Sequence, residues 1–185
     1  MKASRARWDL YATMDKCREC KGPKRVVLPP LAECVLPTGS LKSPLMFVGQ
    51  SPGVDEVGQG APFVGRSGKL LNDLLGILGM DRREVYVTNA IKCHPPGNRG
   101  VHPVELARCR HFLKAEILKV KPRVLVLLGR EAYRIIGDRV DFAHKVCIRR
   151  MKPRIVLSYH PSYFLRKGDP EAFYELAPCI EAMMR

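Results

Sequence analysis

Acidic residues are scarce in this chain: 18 Asp and Glu stand against 32 Lys and Arg, a formal charge of +14 over 185 residues. Such a field favours a polyanionic partner, and DNA, RNA and an anionic membrane surface all qualify. Long hydrophobic runs are missing as well. The longest, such as VLVLLG from Val124, fall far short of a membrane span. The N-terminal MKASRARWDLY is basic, but no apolar stretch follows it, so it does not read as a secretory signal and an intracellular protein is expected. Two nucleotide-binding signatures are also absent. Gly49, Gly53, Gly58 and Gly60 do not make G-x-G-x-x-G, and the Gly68-Lys69 pair lacks both the upstream glycine and the downstream Ser or Thr of a P-loop. The cysteines number seven, which argues against a disulfide framework in an intracellular chain.

At 46% hydrophobic and 27% charged, the chain has the composition of one globular domain spanning residues 1–185. Apolar runs at Leu45–Gly49, Val85–Ile91, Arg123–Gly129 and Arg154–Pro161 read as four buried strands. Helical patterns occupy Arg5–Met14, Ser67–Leu78, Pro103–Val120, Glu131–Ile136 and Pro170–Met184, with Ser67 expected as an N-cap. Strands that are apolar throughout and alternate with helices predict an α/β fold, a three-layer αβα sandwich around a mainly parallel four-stranded sheet. Ligands of such folds sit beyond the carboxyl ends of the strands. The segments leaving those ends are GQSPG, TNAIKCHPPGNR, GREAY and SYHPSYFLR.

Cys17 and Cys20 form a C-x2-C pair, and Cys93 and Cys109 lie far downstream. Four thiolates suit one zinc ion or a [4Fe–4S] cluster, and spacing alone does not choose. Cys34, Cys147 and Cys179 read as small, partly buried hydrophobes. The glycine-rich stretch after Gly49 offers backbone for close approach to a ligand, with Phe63 as a ring able to stack on a base.

Taken together, the C-x2-C pair, GQSPG, GAPFVGRSG, VTNAIKCHPPGNR, Cys109 and HPSYFLR resemble the iron–sulfur, family 4 uracil-DNA glycosylases over about residues 10–175. The resemblance implies a [4Fe–4S] cluster on Cys17, Cys20, Cys93 and Cys109. It also implies base excision repair of uracil-containing DNA by a monomeric, cytoplasmic, nucleoid-associated enzyme that hydrolyses the glycosidic bond after base flipping. By the same resemblance, Phe63 stacks on the flipped uracil, Asn89 reads its Watson–Crick edge and His160 donates to O2 of the leaving base. Gly49, Gln50 and Ser51 line the pocket, and Ser162, Tyr163, Phe164, Leu165 and Arg166 form a loop bracing the duplex.

One departure bears on the chemistry. The family motif G-E-[AG]-P-G carries its acid where this chain has Gln50, and the related G-Q-D-P-Y motif carries it where this chain has Ser51. A glutamine orients water but does not take its proton near neutral pH. Asp55 and Glu56 are the nearby acids that could replace it if the loop folds them inward. The alternative is an iron–sulfur DNA-binding protein that recognises uracil or another damaged base with little turnover.

Overall fold

The computed structural model describes residues 34–134, 143, 145–148 and 152–185. The candidate helix at Arg5–Met14, the Cys17 and Cys20 pair and the basic pairs Arg5–Arg7 and Arg149–Arg150 lie outside the described residues.

Five strands form one sheet: β1 (Leu45–Gly49), β2 (Tyr86–Asn89), β3 (Val124–Leu128), β4 (Val146–Ile148) and β5 (Arg154–Ser158). Their spatial order is β2-β1-β3-β5-β4, and all neighbours run parallel except β4, which pairs antiparallel with β5. The four expected strands are therefore present, and the count is corrected to five. VCI was not read as a strand because a three-residue edge strand with one exposed and two half-buried residues carries no continuous apolar run.

The remaining described elements are α1 (Val54–Gln59), α2 (Arg66–Ile77), α3 (Pro103–Val120), α4 (Arg130–Arg134), α5 (Pro161–Lys167), α6 (Glu171–Tyr174) and α7 (Leu176–Met184). Side chains alternate across each strand, so the sheet buries two cores. Phe47, Val87, Val126 and Val156 pack with Leu71 and Leu74 of α2, Phe164 of α5 and Ile180 of α7. Met46, Tyr86, Leu125 and Leu157 pack on the opposite side with Leu113 of α3 and Tyr133 of α4. This is the three-layer arrangement that the apolar strands predict.

Several local expectations change. The helix after the glycine-rich stretch is capped by Gly65 and not by Ser67, which lies inside its first turn. That stretch is not irregular throughout, because α1 occupies its middle. The C-terminal helix is two, broken at Glu175. Cys147 of β4 and Cys179 of α7 are joined as a disulfide, which corrects their reading as separate hydrophobes. The 32-residue separation gives no local hint, since only the sheet edge and the terminal helix bring the two together.

Parallel strand order reverses direction at β1, with β2 on one side and β3 on the other. Such a switch point opens a crevice at the strands' carboxyl ends. Gly49 and Asn89, the last residues of β1 and β2, are register partners there, and His160 follows β5 by two residues.

Candidate active site

A cleft of about 710 Å³ opens at this end of the sheet, and its lining includes Gln50, Ser51, His94, His160, Ser162 and Arg166. Gly49, Phe63 and Asn89 lie beneath that lining, all buried. A Cβ on Gly49 would stand 2.3 Å from Asn89 Oδ1 and 2.6 Å from the Phe63 ring, so only glycine lets the asparagine and the ring meet here. Phe63 stacks with His160 at 5.6 Å between ring centroids and 26° between planes. Asn89 is 2% exposed, and its Nδ2 has no hydrogen-bond partner among the described residues. A buried amide left this way is a donor open to a ligand or a water.

The backbone of Asn89 is fixed from behind. Lys92 Nζ donates to the Asn89 carbonyl and to Thr88 Oγ1, each at 2.7 Å, and lies 2.7 Å from Glu116 Oε1 of α3.

The two histidines of the cleft have opposite tautomers when neutral, and the hydrogen bonds dictate them. His160 is the N-cap of α5, and the Ser162 backbone N–H donates to its Nδ1 at 3.3 Å. An amide nitrogen cannot accept, so Nδ1 carries the lone pair and Nε2 the hydrogen. Burial, joined by the Arg166 charge, pushes the His160 pKa down to about 4, so the ring is neutral at pH 7. Arg166 Nη1 donates to Ser162 Oγ at 3.1 Å, and that oxygen lies 3.0 Å from His160 Nδ1. His94 is the reverse case. Its Nδ1 lies 2.8 Å from the Pro52 carbonyl oxygen, which only accepts, so Nδ1 holds the hydrogen and Nε2 is the acceptor.

The segment expected as a duplex-bracing loop is helix α5. Helical spacing puts Ser162, Leu165 and Arg166 on the cleft side, while Phe164 packs into the core at 5.6 Å from Phe173. Tyr163 lies against Tyr159 at 4.6 Å. Phe164 therefore is not a wedge for DNA. Arg82 likewise points inward, donating to the Pro62 carbonyl at 2.7 Å, and its neighbour Arg83 pairs with Asp81.

Both nearby acids, Asp55 and Glu56, line the cleft with Gln50, and each is also engaged elsewhere. Glu56 accepts hydrogen bonds from the Gly53 and Phe63 backbone N–H groups, which occupies both of its oxygens. Burial pushes its pKa up, against the lowering pull of those amides and Arg82. Asp55 is exposed, and its Oδ2 stands 2.8 Å from where a Cβ on Gly65 would be, at the N-terminus of α2. There its charge complements the helix dipole. An acid that sequence reasoning passed over shares a neighbour, Gly129, with Gln50. Glu131 Oε2 and Gln50 Oε1 both lie 4.0 Å from the point where a Cβ on Gly129 would stand. Its signal was position, two residues beyond Gly129, the glycine that follows β3. His94 gave the same kind of signal in KCHPPGNR.

Of the four cysteines assigned to the cluster, Cys93 is half-buried and Cys109 buried. Among the described residues, no group of three or more His, Cys, Asp or Glu is arranged to hold a metal. Cys34 Sγ lies 3.0 Å from Cys93 Sγ, which gathers two thiols beside the assigned position. Soft thiol donors at this place fit an iron–sulfur group.

A model of the uracil DNA glycosylase superfamily matches residues 36–181, and the chain belongs to that superfamily. The type-4 uracil-DNA glycosylase of Thermotoga maritima is 39% identical over 146 residues, covering 74% of this chain and 74% of the relative. The type-4 uracil-DNA glycosylase of Archaeoglobus fulgidus is 33% identical over 178 residues, covering 90% of this chain and 87% of the relative. The type-5 uracil-DNA glycosylase of Pyrobaculum aerophilum is 31% identical over 148 residues, covering 69% of this chain and 65% of the relative. Within the superfamily, the chain is a member of the type-4 family.

Proposed function

We propose that the protein is a monofunctional uracil-DNA glycosylase that flips deoxyuridine out of DNA and hydrolyses its glycosidic bond. The observation that carries the reading is the buried Asn89 amide, whose Nδ2 has no partner among the described residues. Its N–H can donate to uracil O4 while its oxygen accepts from N3–H, and cytosine inverts both groups. The Phe63 ring beside it supplies a stacking face.

In the reaction the sugar–base bond breaks and its electron pair passes to the base. The oxygen of a water bonds to the sugar carbon, and the water's proton is lost to solvent. Negative charge develops on O2 of the departing uracil. The neutral His160, with hydrogen on Nε2, is a donor suited to that charge, and it acts chiefly in the transition state. Gln50 and His94 both line the cleft, where the glutamine would orient the water and the His94 Nε2 would offer an acceptor. Arg166 supports the basic rim that meets phosphate. Cys17, Cys20, Cys93 and Cys109 would hold a [4Fe–4S] cluster. Such a cluster would contribute structurally, as a cross-link between thiolates far apart in sequence. The substrate is uracil-containing DNA, and the role is base excision repair within the cell.

The alternative, recognition with little turnover, is favoured only by Gln50. Gln50→Glu tests it. Uracil release from a labelled oligonucleotide is expected to rise several-fold, because a carboxylate offsets positive charge on the sugar and accepts a proton. A rate unchanged from wild type contradicts the assignment of residue 50 to the water side of the site.

A further inference from the structure

We infer that Glu56 is a positioning residue for base binding, its carboxylate holding the Phe63 backbone so that the ring presents its face to a flipped base. The inference rests on the reading of the site as a uracil pocket. Phe63 has φ of +56°, a left-handed conformation rarely adopted by a side chain of its size. Such a backbone persists only when its surroundings over-determine it. Glu56 takes the Phe63 N–H, and its second oxygen takes the N–H of Gly53, the N-cap of α1. One carboxylate thus ties the start of that helix to a residue seven positions on from itself. On the preceding peptide, Arg82 donates to the Pro62 carbonyl. On the following side, the Phe63 carbonyl lies 1.7 Å from the point where a Cβ on Gly68 would be, so the loop packs directly on the backbone of α2. Both polar groups of the Pro62–Phe63 peptide are thus held by side chains, and Glu56 links them to α1.

The chemistry of the side chain is specific. A glutamine has a single acceptor oxygen, and its amino group cannot face an N–H donor, so Glu56→Gln must give up one of the two amides. An aspartate keeps the charge but is one methylene too short to span both.

The test uses the full-length, cluster-loaded protein. Glu56→Gln is placed in the wild-type and Phe63→Ala backgrounds, binding of radiolabelled uracil is measured by equilibrium dialysis, and kcat and KM are measured on a uracil oligonucleotide. In the wild-type background uracil binding is expected to weaken about 10-fold, the worth of one charge-assisted hydrogen bond. The visible absorbance of the cluster is expected to be retained. In the Phe63→Ala background the same change is expected to add little, because residues that act through one another are not additive. Glu56→Asp makes the same comparison should the glutamine variant fold poorly, with a smaller loss expected. Equal losses in the two backgrounds, or unchanged uracil binding in Glu56→Gln, overturn the inference alone. A wild-type protein that neither binds nor releases uracil overturns the uracil reading and this inference together.

Discussion

His160→Ala is expected to slow uracil release at saturating DNA by about 10²–10³-fold, the cost of losing one preorganised donor to a developing anion. The side chain also caps α5, so the alanine variant is expected to lose about 1 kcal/mol of stability as well. His160→Asn separates the two effects, because asparagine caps a helix but does not place an imidazole N–H at O2. Both variants should be slow, and only the alanine one less stable. Ser162→Ala keeps the backbone N–H that dictates the tautomer, so its loss should be far smaller.

The pH dependence follows from the same environment. The His160 pKa is lowered from 6.5 to about 4 by burial and by Arg166, so the neutral donor persists well into acid. A single-turnover profile should therefore show no titration of His160 through mildly acidic pH. The linkage to stability has the matching sign. The unfolded chain takes up this proton near 6.5 and the folded chain only near 4, so stability is lost as pH falls through that window.

Lys92→Met should be the most destabilising change near the site. Lys92 and Glu116 are 1% and 0% exposed, so removing the lysine strands a buried carboxylate. The expected cost is about 3–5 kcal/mol, read by urea unfolding of the cluster-loaded protein. Burial already raises the Glu116 pKa, with Lys92 pulling it down, and removing that pull raises it further. A group whose folded pKa lies above its unfolded value loses stability as pH rises through the folded value. The deficit of the variant should accordingly be smaller at pH 5 than at pH 8. Replacing both residues with methionine should recover most of the loss, because a well-packed apolar pair is often no worse than a buried ion pair. Recovery of stability without recovery of uracil binding would mark the contribution of the bond from Lys92 to the Asn89 carbonyl.

The readable part of this protein is the part governed by local periodicity. Strands β1 and β3 are unbroken apolar runs, β2 and β5 have apolar stretches bounded by polar residues, and α3 begins where His102-Pro103 places a proline at the first helical position. Asn89 and His160 were visible because they end or follow such strands. What was not readable depends on long-range packing. Phe164 looked available for DNA, but the turn of α5 directs it into the core. Glu56 looked like a spare acid, but the loop brings the Phe63 amide to it. The tautomers of His94 and His160 rest on partners of opposite kind, a carbonyl and an amide, which no spacing rule distinguishes. The disulfide partner of Cys147 comes from a helix at the far end of the described chain.

The most direct test is an anaerobic single-turnover time course with cluster-loaded protein in excess over oligonucleotides carrying one uracil or one cytosine at the same position. Free base is quantified, and the abasic strand is cleaved with alkali. The wild-type protein is expected to release uracil and no cytosine, with the uracil signal falling sharply in Asn89→Ala. Tight binding of the uracil strand with no free uracil, even at enzyme excess, would contradict the account.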